Sequence, residues 1–111
     1  MIIAKCLIES LLIATADTSQ YIAPAGVRTT IDKFTATNTS GAAAVITVNL
    51  VASGGAAGTA NKTVSSKSLL ANETYTFPEL VGHVLNAGDF INTSCTVAAV
   101  VAVRASGREI S

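Results

Sequence analysis

Charge is scarce in this chain, and what there is cancels. Only 13% of the residues are charged, and seven Lys and Arg balance seven Asp and Glu. No net field exists to draw nucleic acid or an anionic membrane surface. The two Tyr and three Phe interleave with no basic stripe, and packing on strands accounts for them better than base stacking. Histidine occurs once, at His83, so a zinc centre has no second imidazole and a serine triad would have to be built around this single ring. No Gly-x-Ser-x-Gly elbow is present. The two cysteines, Cys6 and Cys95, lie near opposite ends at a spacing that fits no zinc or redox motif; they read as small apolar residues, and a disulfide would need the fold to join their strands. Long apolar runs are also missing. The stretch from Ile2 to Ala14 is interrupted by Lys5 and Glu9 and is too short to span a bilayer, and it lacks the unbroken apolar centre of a signal peptide.

A chain of 111 residues can bury about 65% of its unfolded surface, enough for one thin core and no second domain. With so little charge, the surface must be covered by Thr, Ser, Asn, Ala and Gly, which suits contact with other protein. The triplets at Asn38, Asn61, Asn72 and Asn92 match the glycosylation pattern, but so Asn-, Ser- and Thr-rich a chain produces them by chance.

What is present is alternation. Ile46, Val48 and Leu50 alternate with Thr47 and Asn49, the period-two mark of a strand with one buried face. Residues 31 to 37 are β-branched and aromatic, and Asn38-Thr-Ser-Gly41 between the two segments predicts a hairpin. Ile31 and Phe34 fall on opposite faces unless a bulge near Asp32 and Lys33 shifts the phase, which is the reading taken here. Residues 53 to 58 read as a flexible glycine-rich loop. A phosphate loop would need a Gly-Lys-Ser/Thr ending and a following helix, whereas Lys62 follows Asn61 and residues 64 to 70 read as a strand. Further strands are expected at 74 to 77, 89 to 97 and 98 to 110. At the N-terminus, a helix would gather Ile3, Leu7 and Leu11 on one face, while a strand would place Ile2, Ala4, Cys6, Ile8 and Leu12 on one face and both charges on the other. The strand division is cleaner. Short strands with turn signals about every ten residues, and no amphipathic segment of three helical turns, indicate a two-sheet sandwich or small barrel.

The window from Glu73 to Asp89 concentrates what chemistry the chain has. Glu79 and His83 are four apart and would share a side of a helical turn, but no nucleophile or further ligand joins them. The window reads instead as a strand ended by Pro78, a short helical connector near 78–86 burying Leu80, Val81, Val84 and Leu85, and a turn at 86 to 88. Arg28, Arg104 and Arg108 stand at strand ends, where a planar guanidinium suits either solvent or ion pairing across a subunit contact.

Several segments in order resemble small structural proteins of tailed bacteriophages and prophages: residues 20 to 41 (Gln-Tyr-Ile-Ala-Pro-Ala-Gly-Val-Arg through Asn-Thr-Ser-Gly), 48 to 55, 73 to 85, 88 to 91 and 104 to 110. The chain is most similar to the jelly-roll capsid decoration, or cement, proteins. That resemblance implies an all-β, jelly-roll-like antiparallel sandwich, with an N-terminal strand or arm over residues 1–20 and one sandwich domain over 21–111. It implies a non-enzymatic role without metal or cofactor: binding the major capsid protein on the outer surface of the virion head, as a homotrimer, with no nucleic-acid or membrane partner. A tail or fibre module that binds a host receptor or glycan is the alternative, and a carbohydrate-binding or hydrolytic domain with a cleft near Tyr75, Glu79 and His83 is a second. Candidate contact residues are Ile3, Leu7 and Leu11 on the arm, Gly54 and Gly55 on the loop, and His83, Arg28, Arg104 and Arg108.

Overall fold

In the computed structural model, which describes residues 1–111, the strands pair as four antiparallel ribbons nested from the ends of the chain inward. β1 (Ile2–Leu12) pairs with β9 (Val101–Ile110), and β2 (Thr18–Ile22) with β8 (Phe90–Cys95). Then β3 (Arg28–Asn38) pairs with the short β6 (Thr74–Tyr75) and β7 (Val84–Leu85), and β4 (Ala44–Val51) with β5 (Lys62–Leu69). Rolling this ribbon brings β9 against β3 and β8 against β4. Two sheets result: sheet A in the order β1-β9-β3-β6, with β7 also on β3, and sheet B in the order β2-β8-β4-β5. With β6 and β7 counted as one interrupted strand, this is the eight-strand order of a jelly roll. The chain's two ends close the β1–β9 ladder, where the Met1 ammonium donates to the Ser111 carbonyl at 2.7 Å.

The core lies between the sheets as one cluster of 21 buried residues, among them Ile31, Phe34, Ile46, Val48, Leu69, Phe77, Leu80, Leu85 and Ile91. Phe34 and Phe77 meet edge to face at 5.2 Å, and Tyr75 meets Phe77 at 4.7 Å. Such contacts add about 0.5–1.5 kcal/mol each beyond burial. The β3–β9 register shifts between Ile31 and Lys33, so Ile31 and Phe34 are both fully buried while Asp32 and Lys33 both face solvent. This is the bulge that the phase conflict in the sequence required. A consequence falls on the neighbouring strand: a Cβ on buried Gly107 would run into the Thr30 carbonyl oxygen, so only glycine fits there.

Three expectations are corrected. The segment after β3 is not a hairpin turn, because β3 and β4 belong to different sheets. The reason is Asn38, fully buried at the corner, whose Nδ2 donates to the carbonyls of Ala42 (2.7 Å) and Leu69 (3.0 Å) while its Oδ1 accepts from Ser40 N (3.0 Å). The connector near 78–86 is not helical. Two successive turns, closed by Leu80 N to Phe77 O and His83 N to Leu80 O, end at Gly82 (φ 89°), and strand β7 follows. Gly82 N donates to Ile31 O at 2.7 Å and Ile31 N to His83 O at 3.0 Å, so β3 takes the backbone groups that a helix would have paired internally. Leu80 and Leu85 are buried as expected, but Val81 and Val84 are exposed. Lastly, β1 is a sheet strand whose alternation is broken by shifts between Cys6 and Ile8 and between Ile8 and Leu11. Leu7 and Ile8 are both buried, and Ile2 and Leu12 are left 63% and 52% exposed.

Candidate interaction face

Acidic side chains are largely consumed by the fold. Asp89 accepts from Ser53 N (3.0 Å) and Asn86 N (2.9 Å), fastening two turns at one end of the sandwich. Glu73 accepts from Leu70 N at 2.7 Å in the β5–β6 turn. Glu109 takes the Lys5 ammonium at 3.3 Å and the Tyr21 hydroxyl at 2.6 Å. Asp32, lifted out of β3 by the bulge, holds the Arg108 guanidinium through Nε (3.0 Å) and Nη2 (3.1 Å). Glu79 accepts from the Tyr75 hydroxyl at 2.8 Å, and the Lys67 ammonium sits 4.3 Å from the Tyr75 ring centre.

Two phenols register these contacts. Burial first, then the hydrogen bond to Glu109, pushes Tyr21 up to about 12, against a smaller opposing effect of Thr29. Since the phenol proton goes to Glu109, the Thr29 hydroxyl donates to the Tyr21 oxygen at 2.8 Å. This polar clamp ties sheet B to sheet A beside the edge strand β1. The Tyr75 hydroxyl is raised by its bond to Glu79, and Glu79 is held below the usual carboxylate range by its own backbone N–H and then by Tyr75.

Cations are left over on one face. Along β9 the side chains of Ala102, Arg104 and Ser106 point out of sheet A, opposite Thr37, Thr35 and Lys33 of β3 in register. With Ser10 of β1 they line an open depression of about 390 Å³. Arg104 and Lys33 are diagonal neighbours across the two strands. Neither is ion-paired; Arg104 donates only to Ser10 Oγ at 3.2 Å. Arg28 lies further along the same face, exposed.

The other candidate contact residues are dispersed. Ile3 is half exposed at the start of β1, Leu11 packs partly against the core, and Leu7 is core and not a contact residue. Gly54 (φ 80°) and Gly55 form an exposed turn over the outer face of sheet B. His83 is exposed and lines a separate depression of about 340 Å³ with Leu50, Val51, Asn61 and Lys62. Tyr75 and Glu79 engage each other rather than His83, so these three do not converge on a cleft. No three His, Cys, Asp or Glu side chains gather closely enough to hold a metal ion, and Cys6 and Cys95 are free thiols in different sheets. Lys33, Ser10, Thr35 and Ser106 were not marked by sequence. The alternation around Arg104 was visible, but its neighbours depend on a register between strands some seventy residues apart. Comparison of the chain with protein-family models, with curated proteins and with solved structures finds no match.

Proposed function

We propose that this chain is a non-enzymatic structural protein of a tailed-phage virion, a decoration protein that sits on the outer capsid lattice and bridges neighbouring subunits of the major capsid protein as a homotrimer. Fold alone assigns no role, since jelly rolls serve capsids, lectins and enzymes alike. The observation that carries the reading is the economy of charge. Five of the seven carboxylates are spent on turns, clamps and ion pairs within the chain, leaving a surface dominated by Thr, Ser, Ala and short apolar side chains. Such a surface contributes buried interface with little cost in desolvated charge. The segments that resemble cement proteins support the same reading, and the pairing of Tyr75 with Glu79 rather than with His83 favours it over a carbohydrate-processing domain.

Imaging of intact particles and of tail-less heads tests it. Many copies on the outer surface of tail-less heads are expected; a protein found only on tails or fibres, or missing from particles, overturns the assignment.

A further inference from the structure

We infer that the outer face of sheet A is a docking groove for an extended, carboxylate-bearing segment of a partner protein. Three observations converge on that occupant. First, the groove carries unspent positive charge: Lys33 and Arg104 flank its centre and no carboxylate lines it. Asp32 is held by the Arg108 fork, and exposed Glu9, beside Ser10 on β1, forms no ion pair with either cation. An arginine without a carboxylate partner, presenting its planar fork beside hydroxyls, is suited to bind a carboxylate through two parallel hydrogen bonds.

Second, the lining is periodic. The three rungs Thr37–Ala102, Thr35–Arg104 and Lys33–Ser106 run along the strands for about 13 Å, at the two-residue spacing of β structure. An extended segment laid along them would meet a like environment with every second side chain, whereas a compact anion would engage one rung. Third, the groove changes character along its length. The cationic rungs give way to Ala102, with Leu12 in register beside it and 52% exposed, so an apolar side chain has a place next to the acidic ones. Thr35 and Ser106 supply hydroxyls that can pair with an extended backbone, while Thr37 bonds Thr74 at 2.9 Å and Ser10 accepts from Arg104 with its own proton left to donate.

The inference concerns the chemistry of the partner and stands apart from where on a virion the protein works, so the particle images can fail without this failing. Its test uses the full chain, isotopically labelled, titrated at low salt with a synthetic peptide of alternating threonine and glutamate. Amide shifts at 33–37 and 102–106 are expected, with the glutamine counterpart of the peptide binding about tenfold more weakly, the loss of one charge-assisted hydrogen bond. Arg104→Gln and Lys33→Gln, both at exposed positions, should each weaken binding about threefold to tenfold with the amide spectrum otherwise intact. Lys62→Gln, the same charge change on sheet B, should not. Equal binding of the two peptides, no binding, or shifts elsewhere overturn the proposal. So does equal or tighter binding of inorganic phosphate, heparin oligosaccharide or duplex DNA, which would make the groove a general anion site. Concentration-dependent dimers abolished by Arg104→Gln would make a second copy the occupant and overturn it as well.

Discussion

The Tyr21 hydroxyl, carried by sheet B, donates to Glu109 Oε2 of sheet A at 2.6 Å. Burial and that bond push the phenol from 10.0 to about 12, so the fold favours its neutral form. The stability this contributes is complete below pH 10.0 and is lost as pH rises toward about 12. Denaturant midpoints measured across that interval should fall, and Tyr21→Phe should flatten the fall while lowering stability at neutral pH. An unchanged alkaline slope in the variant would assign it to another group.

Asn38 makes a second link between the sheets, and its side chain reaches Leu69 O thirty-one residues away. Asn38→Ala would leave the buried Leu69 carbonyl without this donor, at about 1–3 kcal/mol, while the exposed Ala42 carbonyl keeps the Ser40 hydroxyl at 2.9 Å. Asn38→Asp keeps the acceptor for Ser40 but presents an oxygen to both carbonyls, and is expected to destabilise at least as much at neutral pH. Urea unfolding of the two variants checks this. A loss under about 0.5 kcal/mol in both, the scale of ordinary surface substitutions, would mean that the corner is held by its backbone.

How far the sequence could be read follows from the range of the interactions involved. The bulge at Asp32 and Lys33 was legible because Ile31 and Phe34 must both be buried, a conflict contained within four residues. Most strand positions were legible for the same local reason, but β2 (Thr18–Ile22), which crosses the expected boundary between arm and sandwich, was not marked. The corner at Asn38 was not, since Asn-Thr-Ser-Gly suits a hairpin equally well and the deciding partner, Leu69, lies on β5. The connector failed similarly: an apolar i, i+4 pattern such as Leu80 and Val84 fits a helical turn, but β3 captures the backbone of Gly82 and His83. Arg104 could be marked as a contact residue, yet its neighbour Lys33 emerged only once β9 lay against β3.

Gly107 faces the bulge in β3, and this makes it far less replaceable than other glycines. Its missing side chain leaves room for the Thr30 carbonyl, with Leu7 Cδ1 3.0 Å from where a Cβ would stand. Gly107→Ala must displace backbone in β3 or β9, and overpacking of this kind costs about 1–3 kcal/mol or more. Gly41→Ala meets nothing within 4 Å and needs no unusual φ, so it should stay within about 0.5 kcal/mol of the parent. Thermal or chemical melts of the pair give the comparison directly. Equal stability would show that the β3 bulge can shift at little cost.

Residues 53–58 are expected from composition to be flexible, but Asn61 organises the loop that contains them. Its Oδ1 accepts from Asn49 Nδ2 (2.6 Å) and Gly58 N (3.0 Å), and its Nδ2 donates to Ala56 O (2.9 Å). The loop thereby folds over the outer face of sheet B, where Asn49 and Val51 are 2% and 1% exposed although Val51 lies outside the main core cluster. Asn61→Ala should release this cover without disturbing the core, since no residue of the loop belongs to that cluster. Global stability is expected to fall by about 1–2 kcal/mol, while amide exchange at 56–61 accelerates much more and proteolysis concentrates there. Uniform acceleration throughout sheet B would instead make the loop part of the cooperative unit. Asn49→Ala separates the cases further: it removes the same 2.6 Å bond but leaves the Asn61 contacts to Gly58 and Ala56, so the loop should keep its shape while losing its attachment to the sheet.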